Sequence, residues 1–141
     1  MRLPQEIASA IRAHALAEAP REACGIIIGS ASAASGGAPL RWIPTTNVLA
    51  SPTLYEIDPA QLLQISLAAD DADEVIWGIV HSHVASPAQP SATDTTVAGY
   101  PDALYLIVSL AKSQAAVDGE AGIRGWWIVD HVATEVGLEI D

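Results

Sequence analysis

The chain has 141 residues, half of them hydrophobic, which is the length of one ordinary domain with a continuous core. The net charge is −11 and no Lys/Arg cluster is present, which argues against nucleic acid as a partner. Cys24 is the sole cysteine, and the sequence shows neither a signal peptide nor an apolar run of the ~20 residues that span a bilayer. We therefore expect one domain over residues 1–141, located in the cytoplasm and not in a membrane.

Apolar residues at helical spacing predict an amphipathic helix over residues 4–18, which Pro20 ends. The short β-branched run at residues 23–29 predicts a buried strand, and a loop rich in glycine, serine and alanine leads to its partner at residues 40–48. Pro44 inside that partner predicts an edge position or a bulge, because proline cannot donate a ladder hydrogen bond.

Residues 54–57 are a candidate short strand, and a second helix is predicted at residues 59–69, with Asp58 as its cap and Pro59 in its first turn. The remaining predictions are a strand at 74–83, a short helix at 91–99, a loop at 112–120, and strands at 103–110, 122–129 and 132–140. Without the candidate short strand, the order is α-β-β-α-β-α-β-β-β. This order predicts an α/β domain.

The segment HSHVASPAQPSATD, residues 81–94, contains the candidate site. Residues i and i+2 of a strand point the same way, so His81 and His83 present two imidazoles to one side while Ser82 faces the other. Two imidazoles and one carboxylate with an open fourth position are typical of catalytic zinc, and Asp94 is the next well-placed carboxylate. The loop between them is long enough to turn back and bring Asp94 to the histidines.

Structural interpretations of the same residues stand beside this one. Ser91 and Asp94 form a serviceable helix cap by themselves, and two histidines at a strand end are often structural or solvated. Both pairs fall within one stretch of 14 residues where the chain leaves a hydrophobic strand, and this conjunction favours a metal site. A nucleophilic Cys24 is a further alternative, but cysteine in a buried apolar strand behaves as a small hydrophobe.

The spacing of HSH, seven residues, Ser91, two residues and Asp94 resembles the signature of JAMM/MPN (Mov34-type) metallopeptidases. In that family a glutamate well upstream completes the site, and Glu22 in PREACGIIIG is the matching residue. The resemblance extends to the element order and to NVLASPTLYEID, residues 47–58. One departure is Val84, which stands where many relatives have proline after the second histidine; it puts only the shape of the loop in doubt.

The resemblance implies the MPN fold, which is cytidine-deaminase-like and has a mixed β-sheet flanked by helices. It implies a Zn²⁺ ion held by His81, His83 and Asp94, with Glu22 as general base. It also implies that Ser91 donates a hydrogen bond to the oxyanion, a role that draws on the same hydroxyl as helix capping. Since all five residues of the motif are present, we expect an active zinc metallopeptidase.

The implied substrate is a small ubiquitin-like or sulfur-carrier protein whose flexible Gly-Gly tail adds as a strand along a sheet edge. Compact bacterial stand-alone members of the family are similar in size, and some release cysteine from a sulfur carrier during cysteine biosynthesis. A deconjugating isopeptidase or another peptidase is a second hypothesis, and a non-enzymatic MPN scaffold is a third. The oligomeric state is left open, a homodimer included.

Overall fold

The computed structural model describes residues 1–111 and 122–141, so the loop predicted at residues 112–120 lies outside the described part. Within that part the chain forms eight strands and three helices. In chain order they are β1 (Arg2–Leu3), α1 (Gln5–Glu18), β2 (Cys24–Gly29), β3 (Pro39–Thr45), α2 (Pro59–Asp71), β4 (Val75–His83), α3 (Ala92–Val97), β5 (Leu104–Ser109), β6 (Gly122–Val129), β7 (Val132–Val136) and β8 (Glu139–Ile140).

Six of the strands form one mixed sheet in the order β3-β2-β4-β5-β6-β7. Strands β4 and β5 pair in parallel, whereas the other neighbours pair antiparallel. The parallel pair needs a crossover connection, and α3 lies within it. The predicted α/β class with a mixed sheet flanked by helices is therefore confirmed, and β3 with its Pro44 is an edge strand as the sequence predicts.

The sheet carries an apolar cluster on each face. Helix α1 presents Ile7, Ile11 and Ala15, which share a stripe at helical spacing, to the cluster that contains Ile27 of β2. Ile26 lies beside Ile27 in β2 but belongs to the other cluster, because successive side chains of a strand point to opposite faces. Helix α2 covers that second face. The candidate site lies on the same side as α2.

The structure differs from the elements predicted from the sequence in its shortest strands. The predicted strand at residues 132–140 is divided into β7 and β8, and β8 pairs in parallel with β1. Strands of two residues carry no readable periodicity, so β1 has no signal in the sequence. Residues 54–57 contribute only a single bridge between Asn47 and Ile57. Among the described residues, no helix combines the length and the hydrophobicity that crossing a membrane requires.

Candidate metal centre

Strand β4 positions the two histidines of the candidate site. His81 and His83 occupy alternate positions at the end of β4, so their side chains share the face covered by α2. Ser82 between them points to the opposite face, where its Oγ accepts a hydrogen bond from the N–H of Ala23 at 2.7 Å. The two Nε2 atoms lie 3.2 Å apart, and His81 and His83 are 1% and 4% exposed. The alternation of a strand thus brings two buried imidazoles together.

Helix α3 brings Asp94 to the histidines. Ser91 is the N-cap of α3, and its Oγ accepts a hydrogen bond from the N–H of Asp94 at 3.0 Å. Oδ2 of Asp94 accepts in return from the N–H of Ser91 at 2.9 Å, which completes a capping box. The same Oδ2 lies 3.2 Å from Nε2 of His81 and 3.1 Å from Nε2 of His83. One carboxylate therefore caps the helix and faces both imidazoles.

The triangle formed by these three atoms fits a tetrahedral cation site. Its sides measure 3.1–3.2 Å, close to the edge of ~3.3–3.4 Å that follows from tetrahedral bonds of ~2.0–2.1 Å. Nδ1 of His83 lies 2.7 Å from the carbonyl oxygen of Pro87 and must donate to it, so in the neutral ring the lone pair is on Nε2. Since two imidazoles and one carboxylate suit zinc and its neighbours better than Mg²⁺ or Ca²⁺, His81, His83 and Asp94 form a candidate transition-metal site.

Two of the three groups at this triangle, Asp94 and His81, favour the protonation state that binds a cation. Burial would raise the pKa of Asp94, but hydrogen bonds from His81 and His83 outweigh it and hold that pKa well below its usual range. Burial lowers the pKa of His81. For His83 burial acts in the same direction, but its bonds to Asp94 and to the carbonyl of Pro87 prevail and raise its pKa. An ionised carboxylate beside a neutral His81 is the state that metal binding requires.

Glu22 lies just before β2 and completes the cluster. Strands β2 and β4 pair antiparallel, with Cys24 opposite His81. The N–H of Ser82 also donates a hydrogen bond of 2.9 Å to the carbonyl oxygen of Ala23. The same register, continued by one more residue, places Glu22 opposite His83. Glu22 is 4% exposed, and its Oε1 has no hydrogen-bond partner among the described residues. Burial raises the pKa of Glu22 to about 7, and to a smaller extent the charge of His83 lowers it and that of Asp94 raises it. A carboxyl that titrates near neutrality is suited to accept and release a proton.

Three further residues lie near the site. No role was predicted for Tyr55 or Asn47 individually, and Cys24 has a structural role. Tyr55 stacks on His81 with ring centroids 4.3 Å apart and an interplanar angle of 17°. Asn47 bonds the backbone around Glu22 and Tyr55. Both lie in the segment NVLASPTLYEID, and that resemblance was the only signal in the sequence that pointed to them. Cys24 is 1% exposed, and burial raises its pKa to about 11, so it has the properties of a core residue beside the site.

An open groove of about 490 Å³ adjoins the site at Asp94. Its walls are mostly apolar and come from the loop before α2, from α3 and from the residues that follow α3. They include Leu49, Leu54, Val97 and Tyr100, all of which are exposed. An extended peptide with apolar side chains is the kind of ligand that such a groove can hold.

Comparison with known proteins places this site in context. The family model described as prokaryotic homologs of the JAB domain matches residues 4–129. A CysO-cysteine peptidase of Mycobacterium tuberculosis is 39% identical over 135 residues, which cover 96% of this chain and 87% of that protein. A desampylase of Haloferax volcanii is 38% identical over 104 residues, which cover 73% of each.

Solved structures show the same fold. The solution structure of a protein from Desulfitobacterium hafniense matches with a TM-score of 0.81 at 28% identity and covers 99% of this chain and 92% of that chain. A JAB1/MPN domain protein from Archaeoglobus fulgidus matches with a TM-score of 0.62 at 18% identity, covering 99% and 98% of the two chains. At that identity the second likeness is one of fold alone.

Proposed function

Because this chain belongs to the family of prokaryotic JAB-domain proteins, we propose that it is a zinc-dependent peptidase. Its substrate is the C-terminal tail of a small sulfur-carrier or ubiquitin-like protein, and it hydrolyses the bond that follows the tail. One observation carries the proposal: Nε2 of His81, Nε2 of His83 and Oδ2 of Asp94 form a triangle of cation-binding dimensions. The buried carboxyl of Glu22 beside it supplies a proton acceptor, and in the metal-free protein burial raises its pKa to about 7.

Each side chain has a separate task in the proposed reaction. His81, His83 and Asp94 would hold Zn²⁺, which would supply a Lewis acid for the scissile carbonyl and the attacking water. Glu22 takes a proton from that water and delivers it to the leaving amine. Oε1 of Glu22 is buried and has no hydrogen-bond partner among the described residues, so this oxygen is available as the proton acceptor.

Ser91 donates a hydrogen bond to the substrate carbonyl oxygen as negative charge develops on it. In the capping box the Oγ of Ser91 accepts from the N–H of Asp94, which uses one of its lone pairs. A serine hydroxyl has one proton to donate and two lone pairs, so the O–H proton is still available to the substrate. Capping and oxyanion stabilisation therefore do not compete for the same part of the hydroxyl.

The burial of the site supports a slender substrate. His81, His83 and Asp94 are 1%, 4% and 9% exposed, so a chain with bulky side chains at the scissile bond would not reach them easily. A Gly-Gly tail lets a backbone approach closely, and the apolar groove beside Asp94 would hold the residues that precede it. The similarity to a CysO-cysteine peptidase supports release of cysteine during cysteine biosynthesis, which we place in the cytoplasm. We propose that residues 1–141 act as one domain.

Deconjugation of protein conjugates is the second candidate function. The similarity to a desampylase over 73% of this chain favours it. The chemistry would be the same, but the leaving amine would be a lysine side chain in place of cysteine. A substrate panel that contains both kinds of bond separates the two functions.

The test is incubation of zinc-loaded protein with sulfur carriers that bear a C-terminal cysteine and with isopeptide-linked conjugates, followed by intact-mass measurement. We expect the carrier to lose the mass of one cysteine residue, which is the mass of cysteine less that of the water added in hydrolysis. Glu22→Gln should bind zinc in the same 1:1 ratio and release nothing, because it keeps the shape of the side chain without its basicity. Hydrolysis by Glu22→Gln, or wild-type protein that takes up no stoichiometric zinc, would contradict the proposed mechanism.

A further inference from the structure

The side chain of Asn47 is fully hydrogen-bonded to backbone groups of the site. Its Nδ2 donates to the carbonyl oxygen of Glu22 at 3.0 Å and to that of Leu54 at 2.9 Å. Its Oδ1 accepts from the N–H groups of Leu49 and Glu56, both at 3.1 Å. A carboxamide offers two donors and two acceptor lone pairs, so all four are used. Few other arrangements of these backbone segments would keep all four hydrogen bonds, and Asn47 therefore fixes the segments that it joins.

One of these segments carries Glu22. Besides the bond from Asn47 to its carbonyl oxygen, the N–H of Glu22 donates to the carbonyl oxygen of Ser51 at 2.8 Å. Both backbone groups of Glu22 are thus held by the loop at residues 46–58. The carboxyl has no hydrogen bond at Oε1 among the described residues that would orient it. The direction of the Glu22 side chain depends on its backbone, and its backbone depends on the loop.

The other segment carries Tyr55. Leu54 and Glu56, which bond to the Asn47 side chain, are the two neighbours of Tyr55 in the chain. The ring of Tyr55 stacks on the imidazole of His81 at 4.3 Å and 17°. Asn47 therefore clamps the backbone on both sides of the residue that covers one face of His81.

His81 needs this support more than His83 does. A histidine that binds a metal ordinarily holds its ring in place by donating its second N–H to an acceptor. His83 does so through Nδ1 and the carbonyl oxygen of Pro87. Nδ1 of His81 is buried and has no such partner among the described residues. The stacked ring of Tyr55 restrains the plane of this imidazole from one face.

From these contacts we propose that Asn47 is a positioning residue, which sets the direction of the Glu22 carboxyl and, through Tyr55, the plane of the His81 ring. The inference rests on the proposed roles of Glu22 and His81. It assigns to the loop at residues 46–58 the orientation of both the Glu22 carboxyl and the His81 ring. Asn47 itself touches neither reacting atom and acts only through the backbone that it binds.

The test compares Asn47→Ala with Gln61→Ala. Gln61 is a matched control, because its carboxamide also bonds the same loop, at the N–H and the hydroxyl of Thr46, but reaches neither Glu22 nor the neighbours of Tyr55. We expect Asn47→Ala to raise the Kd for zinc about 10–100-fold, the usual effect of losing support behind a metal ligand. Gln61→Ala should keep the wild-type Kd. Equal losses in the two variants would show that loop stability alone is at work and would overturn the proposal.

Two Tyr55 variants test the same inference should Asn47→Ala not fold. Tyr55→Phe keeps a ring stacked on His81 and should keep the wild-type Kd for zinc, whereas Tyr55→Leu should raise it about 10-fold. Identical affinities in the two variants would overturn the stacking role.

A spectrum of the metal-free protein separates this inference from the proposed function. The ¹⁵N signals of the His81 imidazole should shift or broaden in Asn47→Ala and Tyr55→Leu but not in Gln61→Ala or Tyr55→Phe. This measurement needs neither zinc nor hydrolysis. Wild-type protein that binds no zinc and cleaves no carrier would reject the proposed function, while unchanged imidazole signals in all four variants would reject the positioning role.

Discussion

Replacing Glu22 with glutamine is expected to stabilise the metal-free protein at pH 8. Burial raises the pKa of Glu22 from 4.5 to about 7, so the folded protein binds a proton here more tightly than the unfolded chain does. As the pH rises from 4.5 to about 7, the wild-type carboxyl therefore lowers the free energy of unfolding progressively. Above pH 7 this loss of stability is complete. Glutamine has nearly the same shape and no charge to desolvate, so the variant avoids this loss.

The magnitude follows from the size of the pKa change. A rise from 4.5 to about 7 corresponds to about 3 kcal/mol at full ionisation, which screening by nearby solvent reduces to about 1–3 kcal/mol. At pH 5 the folded-state carboxyl is still protonated, and the loss is below about 1 kcal/mol. In a protein of this length 1 kcal/mol corresponds to about 3–4 °C in Tm, so Glu22→Gln should melt several degrees higher at pH 8.

Urea unfolding of EDTA-treated wild-type protein and variant at pH 5 and pH 8 measures this difference. His81, His83 and Asp94 are present in both proteins, so their contributions to the pH dependence largely cancel. Glu56→Gln is the matched control, because Glu56 is exposed and its removal should change the free energy of unfolding little at either pH. If Glu22→Gln raises the free energy of unfolding equally at both pH values, or does not raise it at pH 8, the argument that burial raises the pKa of this carboxyl is refuted.

Other substitutions test the remaining parts of the site. His81→Ala or Asp94→Ala should abolish both zinc binding and hydrolysis, since each removes one corner of the triangle; a full complement of zinc in either variant, measured by metal analysis, would reject the ligand set. Ser91→Ala should lower kcat about 10²–10³-fold while changing the Kd for zinc far less, and the reverse pattern would indicate that Ser91 serves mainly as a helix cap. The thiol of Cys24, with its raised pKa of about 11 and 1% exposure, should react with iodoacetamide at pH 8 only after denaturation; rapid labelling of the folded protein would contradict its burial.

Local patterns in the sequence were sufficient to predict part of the geometry of the candidate site. The side-chain period of a strand places His81 and His83 on one face, and the structure has them there. The spacing of Ser91 and Asp94 predicts a helix cap, and the capping box forms. These features depend on residues within a few positions of one another, so a short window of sequence contains the information. The family resemblance added Glu22, for which the sequence around it has no comparable local signal.

Contacts between distant segments were decided only by the tertiary structure. The register of β2 on β4 joins residues 59 positions apart, as in the bond between Ala23 and Ser82, and no local pattern specifies it. The same holds for Tyr55 stacked on His81 and for Asn47 bonded to Glu22. Burial of the Glu22 carboxyl, and with it the raised pKa, follows from these contacts. Sequence thus determined which groups are available, whereas the packing of remote segments determined their distances and protonation, because both depend on neighbours that only folding brings together.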